Sequence, residues 1–116
     1  MSTLSQLFMG AVILVHCYAA WVEMAQWKER GPGLFKSLPT DLFPRTESLA
    51  FNQGVYNLFL VVGLLLALVR QDETWATVFL LFVIVAGVAV ARTIEMRPGL
   101  IQAVPALIAL VSLYLG

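Results

Sequence analysis

Charge is scarce in this chain. Only 12% of its 116 residues are Asp, Glu, Lys or Arg, and 60% are hydrophobic, against about 25% and 45–50% in an ordinary soluble domain. A water-soluble globule of that composition would expose large apolar patches and aggregate, so lipid is the expected surrounding. There is no excess of one charge sign either: seven Lys plus Arg balance seven Asp plus Glu, which leaves no basic surplus to hold nucleic acid. A single cysteine, Cys17, excludes an intramolecular disulfide and reads as packing within an apolar run. One histidine, with few carboxylates inside the apolar segments, falls short of the three or four ligands a zinc site uses. No metal and no cofactor is therefore expected. The first apolar run also lacks the marks of a cleaved signal peptide. No Lys or Arg precedes it, and it continues past His16 to Trp21 without a small-x-small site, so it reads as a retained helix.

What is abundant is apolar sequence in lengths that match a bilayer. A hydrocarbon core about 30 Å thick takes roughly 20 mostly apolar helical residues. Four stretches approach that length: 5–27, 49–69, 75–94 and 100–115, the last short enough to require an upright helix or local thinning. The connection KERGPGLFKSLPTDLFPRTES contains three prolines and two glycines. It reads as non-helical chain outside the hydrocarbon, with Leu34, Phe35, Leu42 and Phe43 placed to dip into the headgroup layer. The connections RQDET and EMRPG are short and force antiparallel neighbours. The fold class is thus all-α, a membrane-spanning four-helix bundle, one transmembrane domain over 1–116. Small residues Gly54, Gly63, Ala67, Ala86, Gly87 and Ala91 offer faces for close helix approach, within one chain or in a homodimer.

The basic residues set an orientation. Lys28, Arg30, Lys36 and Arg45 lie in the first connection and Arg92 and Arg97 at the third, whereas the opposite side has only Arg70. The positive-inside rule predicts a multi-pass protein of the cell inner membrane with both termini outside the cytoplasm. Trp27 and Trp75 then fall at opposite interfaces, where aromatic belts lie.

Ionisable and polar side chains within apolar helices are costly and mark candidate sites. His16 and Glu23, seven residues apart, share one face of the first helix with an offset of about 20°. They are about 10 Å apart along its axis, room for a substrate between them. Asn52, Gln53, Tyr56 and Asn57 open the second helix, with spacings of four linking Asn52 to Tyr56 and Gln53 to Asn57. Gln102 begins the fourth helix, where Pro105 leaves the Ile101 carbonyl without its helical donor. Arg92 and Glu95, three apart, are placed to pair with one another, and Trp27 lies nearby.

In the predicted orientation these groups converge on one layer near the cytoplasmic boundary, with Tyr56, Asn57 and His16 deeper and the outer half almost devoid of polar side chains. That pattern describes a cleft open to the cytoplasm and suited to a lipophilic small molecule. His16 and Glu23 are the candidate proton-transfer groups of an isomerase or epimerase. Asn52, Gln53, Tyr56, Asn57 and Gln102 are the candidate substrate-binding groups, with Trp27, Arg92 and Glu95 secondary. A small dimeric transporter or export subunit, or an accessory protein whose polar groups hold the bundle together, uses the same residues differently. A channel is disfavoured because no polar stripe crosses the outer half of any helix.

The runs HCYAAWVEMAQW, NQGVYN and IQAVPALIAL together resemble a family of small bacterial membrane proteins known as domain-of-unknown-function family 1304. The most specific pieces are the spacing of His16, Glu23, Met24 and Trp27 and the block Asn52, Gln53, Gly54, Tyr56, Asn57. The resemblance spans essentially the whole chain and implies a four-helix inner-membrane protein, without an activity to carry over. Two departures stand out. AGVAVARTIEM lacks the Gly and aromatic residue expected after its first Gly, and Ala103 stands where Gly is usual.

Overall fold

A computed structural model describes residues 1–115. Among them are six helices and no strand: α1 (Thr3–Ala25), α2 (Trp27–Leu34), α3 (Leu42–Arg45), α4 (Glu47–Arg70), α5 (Glu73–Thr93) and α6 (Met96–Leu115). Four of these, α1, α4, α5 and α6, are long and apolar enough to cross a membrane. The chain is drawn out to 46 × 23 × 18 Å, and its long axis matches the roughly 40–45 Å of a bilayer with its headgroups. Large apolar side chains such as Leu14, Val62, Val85 and Leu107 face outward, as lipid contact requires.

Local chemistry fixes the helix ends. Ser2 caps α1, its hydroxyl accepting from Ser5 N at 3.1 Å. Gln71 closes α4 in the left-handed region at φ 52°, and Asp72 then caps α5 by accepting from Trp75 N at 2.9 Å. This two-residue turn folds α5 back against α4.

Two boundaries differ from the sequence expectation. The fourth span begins at Met96 rather than residue 100, giving 20 residues and about 30 Å of helix, enough to span without thinning. Pro98, within the expected connection EMRPG, occupies the first turn of this helix, where an N–H has no intrahelical partner to lose. The first connection also contains helix, since α2 includes Gly31, Pro32 and Gly33. The reason is packing: the Phe43 ring lies where a side chain at Gly31 would be, 2.6 Å from a Cβ built there. The same ring meets Trp27 at 4.9 Å between centroids. Phe43 is buried and Phe35 sits edge-on to Trp27, so these two aromatics pack on Trp27 at the end of the bundle. Cys17, read as packing, is exposed on the outer face.

The long helices form a ring in which α1 packs on α4 and α6, and α5 packs closely on α6 but more loosely on α4. At the end holding the Gln71 turn, Met9, Val12, Leu64, Leu80, Val83 and Ala109 fill the interior. Here α4 and α5 touch, with Phe79 seated over Gly63 and Trp75 Nε1 donating to the Gly63 carbonyl at 2.9 Å. Toward the other end, which carries six of the seven basic residues, the two helices part. One half of the bundle has a filled interior, with a groove between α1 and α6 on its outside, and the other contains a cleft.

Candidate functional site

The cleft has a volume of about 840 Å³ and lies between α4 and α5, with α6 behind it and the α2–α3 segment over its end. Its walls are mostly apolar: Phe59 and Leu60 from α4, Phe79, Phe82 and Val90 from α5, and Phe35, Leu42 and Phe43 from the roof. The size suits a drug-sized lipophilic ligand. Tyr56, Phe59 and Phe82 are each more than half exposed, so the lips of the cleft open sideways, toward lipid.

Polar groups are few and gathered at one pole. Glu23 is buried, and Asn57 Nδ2 donates to its Oε1 at 2.5 Å. The other carboxyl oxygen has no protein partner and is not sealed off, since the one sealed, unpartnered side-chain nitrogen or oxygen among the described residues is His16 Nε2. Glu23 also borders a second pocket of about 340 Å³, lined by Met24, Glu47, Ser48 and Phe51 near the basic end. The carboxyl thus stands between an apolar cleft and a more polar vestibule. Gln53, Tyr56, Gln102 and Trp27 line the same cleft. The Trp27 indole N–H is occupied by Thr46 Oγ1 at 2.9 Å, which ties α2 to the start of α4, so its donor is not available to a ligand.

Four sequence candidates lie elsewhere. His16 is buried on the same face of α1 as Glu23, but it does not line the cleft. Its Nδ1 lies 2.8 Å from the Val12 carbonyl and can only donate there, which assigns Nε2 as the acceptor in the neutral ring. Asn52 is exposed and also outside the cleft. Arg92 and Glu95 line no part of it and, contrary to their spacing, form no ion pair among the described residues. The pairing needs a continuous helix, and α5 stops at Thr93. The sequence points to an apolar wall but names none of its residues, nor Thr46, since these carry no signal beyond hydropathy and a surface hydroxyl.

Glu95 has a different task. It accepts from Ser37 N at 2.8 Å, while Arg97 Nη2 donates to the Gly33 carbonyl at 2.9 Å. Together these contacts strap the roof to the α5–α6 connection. The Ser37 backbone N–H holds the Glu95 carboxyl below its ordinary 4.5, helped by the Ser37 side chain and by Arg97 and Lys36. A depressed carboxyl stabilises the strapped state above its free pKa and loses that contribution as pH falls through the bound one. Loosening of the roof is therefore expected below about pH 4.5. Hydrogen exchange at Ser37 should accelerate there in the wild type relative to Glu95→Gln, whose exchange shows no such step; equal profiles would assign the strap to other contacts.

No curated protein and no solved structure matches the chain. The sequence profile of one family does, over residues 10–114, a range that contains α4, α5, the roof, the Glu23–Asn57 pair and every other residue lining the cleft. By that match the chain belongs to the family described as "Protein of unknown function (DUF1304)".

Proposed function

We propose that this membrane protein binds a lipophilic small molecule in the cleft between α4 and α5, and that Glu23 performs proton transfer on it as an isomerase or epimerase. The observation that carries the reading is the carboxyl itself: one oxygen is held by Asn57 and the other is unpartnered at the head of an apolar cavity. A group fixed in this way is oriented for its task, and desolvation strengthens each interaction it makes with a bound molecule. The substrate's apolar body lies against Phe59, Phe79 and Phe82, and its polar end meets Glu23. Gln53, Tyr56 and Gln102 are within the same lining to orient a carbonyl or hydroxyl. The pocket beside Glu47 and Ser48 supports the proton-transfer reading, because it gives Glu23 a polar side from which to exchange a proton. His16 is not part of this reading's contact set. Its burial alongside Glu23 on α1 makes it a positioning candidate.

Transport is less favoured, since Met9, Leu64 and Leu80 fill the interior between the cleft and the far end, where a groove between α1 and α6 is lined by none of the cleft's residues. The basic end is assigned to the cytoplasm by the positive-inside rule, with both termini on the far side of the inner membrane. In a Cys17→Ala background, a cysteine at Ser37 should be shielded from an impermeant thiol reagent added outside intact cells; free labelling would invert the assignment.

The experiment for function is mass spectrometry of lipophilic molecules that co-purify with the protein in mild detergent. A specific non-phospholipid compound is expected with the wild type, and its loss or chemical change with Glu23→Gln. Bulk phospholipid alone in both samples would overturn the ligand-binding reading.

A further inference from the structure

The charge around Glu23 is one-sided. Its carboxyl makes no ion pair among the described residues, and no Lys, Arg or His lines the cleft. Two basic side chains of the first connection have carboxylate partners of their own: Lys28 lies 3.8 Å from Glu47, at the edge of the vestibule, and Arg45 lies 3.6 Å from Asp41. Arg30 lies over the Trp21 ring at 4.9 Å. The same cleft presents aromatic surface from Trp27, Tyr56, Phe59 and Phe82. The negative face of an aromatic ring attracts a cation, more strongly when both are desolvated. An ionised carboxylate in apolar surroundings is stable only with a counter-charge.

From this juxtaposition we infer that the molecule held in the cleft is a lipophilic cation, a protonated amine or quaternary ammonium whose charge meets Glu23 and whose apolar groups lie on the rings. The inference rests on the ligand-binding reading above and adds the charge of the ligand to it. An anion meets the carboxyl as a like charge and finds no basic partner in the lining. A neutral lipophile fills the apolar wall and meets Glu23 only as its protonated acid, and it draws nothing from the rings' attraction for positive charge. Entry from the bilayer through the open α4–α5 seam suits a molecule that partitions into lipid.

The test compares two ions of nearly equal size and shape and opposite charge, tetraphenylphosphonium and tetraphenylborate, with neutral triphenylmethanol, by equilibrium dialysis against the purified full chain in detergent. Saturable binding of the phosphonium is expected, with neither of the others bound comparably. Glu23→Gln, checked for an unchanged melting profile, should weaken phosphonium binding by about tenfold or more, as loss of a desolvated counter-charge would. The comparison of the three probes on the wild type needs no variant, so it stands even if Glu23→Gln unfolds. Equal binding of the borate or the alcohol, or undiminished phosphonium binding by a folded Glu23→Gln, would overturn the cation assignment while leaving lipophile binding intact. Binding of none of the three would also overturn it. The co-purification experiment uses no probe and decides the broader reading separately.

Discussion

Gly99→Leu should destabilise the bundle by about 3 kcal/mol, whereas Gly10→Ala should leave it within about 1 kcal/mol of the wild type. At Gly99, a Cβ would lie 2.5 Å from Ala91 N and 2.5 Å from the Gly87 carbonyl oxygen; at Gly87, one would lie 2.7 Å from the Gly99 carbonyl oxygen. These obstacles are backbone atoms of the facing helix, which cannot swing aside as a side-chain tip can, so α5 and α6 must separate. Nothing lies within 4 Å of a Cβ at Gly10. The close α5–α6 pair is the rigid back wall of the cleft, and small residues are what permit it in the absence of a hydrophobic drive between helices in lipid. Unfolding in mixed detergent micelles measures both variants. Equal stability of Gly99→Leu and the wild type would mean that the helices do not meet there.

The bond between Asn57 and Glu23 carries the second large effect. Interhelical side-chain bonds in membranes average only about 0.6 kcal/mol, but this pair is buried, and removing one partner leaves the other unsatisfied at a cost of about 1–3 kcal/mol. Asn57→Leu should fall in that range. Glu23→Gln should cost less, because an amide at position 23 can still accept from Asn57. The double variant should then be more stable than the sum of the single losses predicts, by about 1 kcal/mol, the signature of a direct contact. Additive losses would reduce the pair to a coincidence of packing.

Hydropathy made the four spans legible because lipid imposes one simple demand, continuous apolar length. It misplaced the start of α6 because Pro98 has opposite meanings in the first turn of a helix and in its interior. It also missed α2, where the Phe43 ring over Gly31 outweighs the local cost of Pro32; that contact joins residues twelve apart and leaves no periodic trace. Within the site, the seven-residue spacing correctly placed His16 and Glu23 on one buried face of α1. Spacing could not rank Asn52 against Asn57, which lie about 140° apart around α4. Only the packing of α1 shows that Asn57 turns inward to Glu23 while Asn52 faces out. Phe59, Phe79 and Phe82 are indistinguishable by sequence from lipid-facing residues. An apolar cleft in a membrane protein is lined by the same side chains that cover its outside.

The central claim is that a lipophilic molecule occupies the space between α4 and α5. Photolabelling with a diazirine-bearing lipophilic amine, followed by peptide mapping, tests it most directly. Labels concentrated on the roof between Trp27 and Phe43, on Tyr56 and Phe59, and on Phe79 and Phe82, and competed away by excess unlabelled amine, are the predicted result. Labels spread evenly over outward-facing residues such as Leu14, Val62 and Leu107, without competition, would contradict it.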